Sequence, residues 1–90
     1  MKLKEIIEGK KEWYTLQNAV KKLPKDYSIV YKEIQRYYFK IGVSDLQVFE
    51  ELLTIFEDGV KRNQVVLDVT GKDVAAFSDS LLDQEENFDK

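Results

Sequence analysis

The chain contains no cysteine and no histidine, and it carries one proline and four glycines. Without thiols it builds neither a disulfide nor a thiolate metal site. Without imidazole it lacks the commonest transition-metal ligand and the commonest general base. Di-iron carboxylate bundles draw Glu-x-x-His motifs from two helices, so a ferroxidase centre of that kind is excluded by the ligand set. There is no Gly-x-Ser-x-Gly elbow and no glycine-rich phosphate loop, which removes the familiar nucleophilic and nucleotide-binding motifs. Long apolar runs are missing as well. In the N-terminal stretch MKLKEIIEGKKEW the apolar run Ile6-Ile7 is followed at once by charge. A signal peptide needs at least about seven such residues in a row, and a membrane-spanning helix about twenty. These absences predict a cytoplasmic protein that is not an enzyme, with no catalytic residues, no metal, no cofactor and no membrane association.

What is present suits one small globular domain. The 90 residues are 43% hydrophobic and 34% charged, too apolar for wholesale disorder. A domain of this size buries only about 60–65% of its unfolded surface. Small domains are often reinforced by disulfides, a metal or a partner subunit, and here self-association is the support left open. The net charge of −3 is unevenly spread. Residues 1–42 hold ten Lys/Arg against five Asp/Glu, whereas residues 43–90 hold four against twelve. Such a split fits a nucleic-acid face, a steering field or complementarity between halves.

The apolar spacing is helical throughout. Ile6, Trp13 and Val20 lie seven apart, with Leu16 and Leu23 three residues after the latter two, predicting a helix over about residues 3–22. Gly9 falls on the same seam and marks a kink, a break or a close approach. Pro24 ends this helix and opens the next. Tyr27, Val30, Ile34, Tyr37 and Ile41 then follow in 3-4-3-4 spacing, and Gly42 supplies the stop. Ser44 and Gln47 have the spacing of a capping box at the start of a third helix. There Leu46, Phe49, Leu53, Phe56 and Val60 form one stripe and Val48, Leu52 and Ile55 a second, so this helix is expected to be packed on more than one side, at the centre. Gln64 to Val69 reads as a helical turn. The strand propensity of VVLDV is discounted because a lone strand would have no partner. Thr70 and Asp73 have N-cap and N3 spacing ahead of a last helix carrying Val74, Phe77, Ser78, Leu81 and Leu82. The expected architecture is all-α, four to five short helices in a compact bundle without a sheet. The domain covers residues 1–82, and residues 83–90 form an acidic, frayed tail.

Two segments carry a family resemblance. KKEWYTLQNAVKKLPKDYSIVYKEIQRYYF and LLTIFEDGVKRNQVVLDVTGKDVAAFSDSLL resemble the middle and the C-terminal half of the domain-of-unknown-function family 1048. Its most specific pieces here are LPKDY (Leu23 to Tyr27) and DVTGKDVAAF (Asp68 to Phe77). The resemblance implies a small bacterial protein whose helices wind into a left-handed superhelix. It implies no catalytic residue, because the family has no established function. Family-level descriptions connect it to DNA-binding ferritin-like proteins, and its genes often stand beside regulators of the phenolic-acid-response type. Neither association assigns a role to a residue.

Three groups of residues bear on function. Glu50, Glu51, Glu57 and Asp58 share one side of the third helix but lack the alternating, glycine-containing pattern of a calcium loop. With Lys61 and Arg62 four residues after the last two, they read as a solvated face with intrahelical ion pairs. Lys32, Arg36 and Lys40 stack at i, i+4 and i+8 on the second helix, with Lys25 on the same side and Tyr31, Tyr38 and Phe39 interleaved. Cations beside aromatics suit a nucleic-acid strip. The same cations also suit neutralisation of the third helix's acidic face or of a neighbouring subunit, and the chain's pI near 5.0 is far from that of a dedicated nucleic-acid binder. Finally, Trp13, Tyr14, Tyr31, Tyr38 and Phe39 are too many large rings for one narrow seam, since successive helical residues point about 100° apart. They suggest either a wide core or an interface with another chain. The functional expectation is a non-enzymatic interaction module that forms a homo-oligomer or binds a protein partner, in a regulatory setting. The alternative is a DNA-associated accessory protein using the basic strip.

Overall fold

A computed structural model describes the backbone of residues 2–88 and the side chains of residues 10–83. Five helices follow in order: α1 (Lys2–Lys21), α2 (Lys25–Lys40), α3 (Leu46–Lys61), α4 (Val66–Thr70) and α5 (Val74–Phe88). No strand occurs among the described residues, and VVLDV forms most of α4 rather than a strand. Helix α1 runs through Gly9 without interruption.

The helix ends follow from local chemistry. Pro24 sits at the N-cap of α2 with an extended ψ of 153°, as the proline ring permits, and its carbonyl accepts from Ser28 N–H at 2.9 Å. At the other end, Gly42 takes φ 90°, Val43 N–H reaches back to Tyr38 O at 2.8 Å, and Gly42 N–H bonds Phe39 O at 3.1 Å. That pair of bonds is a Schellman closure, which needs a residue in the left-handed region. Helix α3 closes in the same way on Asn63 (φ 59°), with Gln64 N–H bonded to Gly59 O. Asparagine tolerates that region better than most side chains.

Two expected caps are displaced. Ser44 does not open α3; Asp45 does, and its carboxylate accepts from Gln47 N–H at 3.0 Å. A carboxylate is the stronger acceptor and also meets the positive end of the helix dipole, so it takes the site from the neighbouring hydroxyl. Likewise Thr70 ends α4, its hydroxyl donating to Gly71 O, while Asp73 caps α5 by accepting from Ala76 N–H at 3.1 Å. Helix α5 extends from Val74 to Phe88 and so enters the acidic segment that begins at residue 83. Residues 89–90 lie outside the described residues.

Helices α2 and α3 form the centre, each touching all four other elements. Helix α1 packs on one side of this pair and α4–α5 on the other, and α1 does not meet α4 or α5 among the described residues. Between the layers lie Leu16 and Val20 of α1, Tyr27, Tyr31, Ile34 and Tyr38 of α2, Phe49, Leu52 and Phe56 of α3, and Val66 and Leu81. The rings meet edge to face: Tyr27 and Tyr31 on Phe56 at 5.5 and 5.9 Å, and Tyr38 on Phe49 at 5.8 Å. Each such pair adds about 0.5–1.5 kcal/mol beyond the area it buries.

Candidate functional site

The periodicity of α2 sends its two faces to different fates. Tyr27, Tyr31, Ile34 and Tyr38 face inward, and each tyrosine hydroxyl crosses to a neighbouring element to donate to a backbone carbonyl. Tyr27 bonds Gln64 O at 2.6 Å, Tyr31 bonds Phe49 O at 2.8 Å, and Tyr38 bonds Ser78 O at 2.9 Å. Tyr37, at the edge, donates to Asp79 Oδ1 at 2.7 Å. Burial pushes the Tyr27 and Tyr31 phenols up, and moves that of Tyr38 to about 12. The Asp79 hydrogen bond is the main cause that raises Tyr37. These phenols stay neutral and pin α2 to α3, α5 and the loop after α3.

Tyr31 and Tyr38 are therefore not interface residues, nor rings of the basic strip, because both are fully buried. Three large apolar residues per two turns of α2 are needed to fill a core against two layers, and the tyrosines meet that need while their hydroxyls find internal acceptors. The other expected interface rings do reach the surface side. Tyr14 is 68% exposed and Phe39 is 46% exposed, while Trp13 is half-buried. Trp13 rests on Phe39 at 5.8 Å and on Phe49 at 5.7 Å, so α1 closes over the end of α2 with rings. Gln17 and Gln35 join the same two helices through a side-chain hydrogen bond of 2.8 Å.

The outer face of α2 carries the expected strip, with Lys25, Lys32, Arg36 and Lys40 all exposed. Among the described residues the ion pair present is Arg62–Asp58, at 3.1 Å within α3. The strip thus has no carboxylate within ion-pair distance there and does not neutralise the acidic face of α3 by direct contact. Of the two pairs read from the sequence on α3, Asp58–Arg62 forms and Glu57–Lys61 does not. No cluster of three or more potential metal ligands occurs among the described residues, and none of their helices is long and apolar enough to cross a membrane.

A second surface feature was not singled out by the sequence. Helices α1 and α3 leave between them an open groove of about 520 Å³ with Leu16, Ala19 and Leu53 at its floor. It continues past Ala19 into a hollow of about 320 Å³ above Leu23 and Val60. Its signal in the sequence is the pair of small side chains Thr15 and Ala19, four apart on α1, which leave space where larger residues would fill it. A smaller groove of about 310 Å³ lies between α2 and α5, over Val30 and Val74.

Comparison with curated proteins returns no match. Among solved structures, the chain is similar to the crystal structure of a DUF1048 protein with a left-handed superhelix fold from Bacillus cereus ATCC 10987. The two share 36% sequence identity at a TM-score of 0.73, over 80% of this chain and 94% of that one. The five-helix arrangement is accordingly that left-handed superhelix, as the resemblance implied. The family model described as a protein of unknown function, DUF1048, matches residues 4–90. By sequence match and by fold, the chain belongs to the DUF1048 family.

Proposed function

We propose that this protein is a non-enzymatic helical interaction module that binds an acidic segment of another protein through the outer face of α1 and α2. The observation that carries this reading is the exposed row Lys25, Lys32, Arg36 and Lys40, which lacks a carboxylate partner among the described residues and shares α2 with the exposed ring of Phe39, while Tyr14 is exposed on the adjoining α1. Unpaired surface cations steer an acidic partner during encounter. Exposed aromatic rings next to them add desolvated contact area at small entropic cost. The same row suits a phosphate backbone, which is the alternative reading. Burial of Tyr31 and Tyr38 leaves Phe39 as the one ring of the three available for stacking on bases, and the net charge of −3 opposes approach to nucleic acid.

Trp13 is the chain's single tryptophan and lies against Phe39, so its fluorescence reports directly on this face. Titration at low salt with a glutamate-rich peptide should change that signal. Replacing both Lys32 and Arg36 by alanine should weaken binding about tenfold, since two exposed ion pairs contribute up to about 1 kcal/mol each. Tighter binding of duplex DNA than of the peptide, with a steep salt dependence and no effect of Tyr14→Ala, would favour the nucleic-acid reading. Binding of neither ligand would refute the proposed face.

A further inference from the structure

A different surface carries an inference beyond that reading: the α1–α3 groove, on the side of α1 turned away from α2. Its floor of Leu16, Ala19 and Leu53 is apolar, and its rims carry charge in an ordered way. At one end, among the described side chains, Lys11, Glu12 and Glu50 line it, two carboxylates to one ammonium. At the other end stand Lys22, Glu57 and Lys61, two ammoniums to one carboxylate. The groove is therefore electrically the reverse of itself when turned end over end. Such a surface matches a second copy related by a two-fold axis, the commonest symmetry of soluble oligomers, and this contact closes on itself instead of extending into a filament.

We infer that a second copy of this chain docks antiparallel in the α1–α3 groove, about an axis near Leu16 and Leu53, so that Glu12 of each copy faces Lys22 of the other. The axial positions agree. Glu12 lies four residues before Leu16, about 6 Å along α1, and Lys22 lies six after it, about 9 Å, given the helical rise per residue. That mismatch is well within the reach of a lysine side chain. The acidic end of each groove then meets the basic end of its partner. Trp13 on Phe49 and Leu16 beside Leu53 show that α1 and α3 advance in the same direction. Adding a copy in reverse makes a four-helix group of two α1 and two α3 in which each helix lies against its own copy running the opposite way, the packing of antiparallel bundles. The apolar floor is narrow and the charges are exposed, so the dimer is weak and sensitive to salt.

Sedimentation velocity over a concentration series tests this. The full chain should pass from monomer to dimer as concentration rises, with less dimer at high salt. Glu12→Lys and Lys22→Glu should each raise the dissociation constant about tenfold, because each reversal breaks two symmetric pairs per dimer and leaves like-charged ends facing. Both side chains are exposed, so the helical content of the variants should match the parent. The double variant, which exchanges the charges, should return to within about threefold of the parent value. The Lys32→Ala/Arg36→Ala protein should dimerise as the parent does, which separates this groove from the basic face. A monomer at every concentration up to about 1 mM would overturn the inference. So would a double variant no better than its single parents, or loss of the dimer on changing the α2 strip.

Discussion

Gly59→Ala is the substitution with the largest predicted consequence for its size. Gly59 lies inside α3 and is buried where α3 meets α2 and α4. A Cβ placed there would stand 2.5 Å from Val69 Cγ2, 2.8 Å from the Tyr27 hydroxyl oxygen and 3.4 Å from Tyr27 Cε2. Two of these distances are far inside van der Waals contact. Neither neighbour yields easily, because Val69 is β-branched with a restricted χ1 and the Tyr27 hydroxyl is held by its bond to Gln64 O. Alanine is worth about 1 kcal/mol more than glycine in a helix interior. Overpacking a tight contact costs about 1–3 kcal/mol and dominates here, because relief requires α4 to move or the Tyr27 bond to break. Two contacts inside 3 Å place that cost in the upper part of its range, about 2–3 kcal/mol, so the expected net loss is about 1–2 kcal/mol, a fall of roughly 5–15 °C in the thermal midpoint of a domain this size. Circular dichroism during heating and during urea titration would measure it. In a Val69→Ala background the penalty should shrink, since the closest methyl group is gone. A midpoint that rises or stays unchanged, as helix propensity alone would give, refutes the close packing of α2, α3 and α4 at this glycine.

Alkaline pH should weaken the fold through the buried phenols. Tyr38 is raised to about 12 in the folded state against 10.0 for the free side chain. Its protonation therefore stabilises the native state fully below pH 10, and that contribution is lost as pH rises from 10 through about 12. Urea midpoints measured from pH 8 to 12 should fall over that window, and fall less in Tyr38→Phe. The caps offer a local test: Asp73→Ala and Asp45→Ala should each cost about 1 kcal/mol in urea unfolding by removing a carboxylate that accepts a first-turn N–H. Ser44→Ala should cost far less, since Asp45 occupies the capping position.

Helix positions were legible because period and punctuation agree. The 3-4-3-4 spacing of α2 and α3, Pro24 before α2 and Gly42 after it can each be read one residue at a time. The central place of α3 was legible too, since apolar residues on two stripes demand two neighbours. Where adjacent residues competed for one role, reading alone misplaced it: Ser44 and Asp45 both suit an N-cap, and geometry chose the carboxylate. The end of α3 on Asn63 carries no strong sequence mark, because asparagine enters the left-handed region far less often than glycine.

The candidate interface was legible only in part. Tyr14, Trp13 and Phe39 reach the surface side, whereas Tyr31 and Tyr38 are equal to them in composition and close to them in sequence, yet lie in the core. Nothing in the residue type separates the two sets; the direction of α2 against its neighbours does. The groove between α1 and α3 was hidden for a related reason. It depends on two helices separated in the chain by α2 meeting in one register, which places Thr15 and Ala19 opposite Leu53.

By itself the sequence determined an all-helical chain of four to five helices, most of their limits to within a few residues, the family and the absence of thiol and imidazole chemistry. These are local or compositional properties, set by covalent geometry and by the spacing of apolar side chains. Tertiary structure alone decided which tyrosines are buried, that the α2 cations find no carboxylate among the described residues, and that a charged groove lies along α1 and α3. Each of these depends on distances between residues remote in the chain, and such distances come into being only when the helices pack.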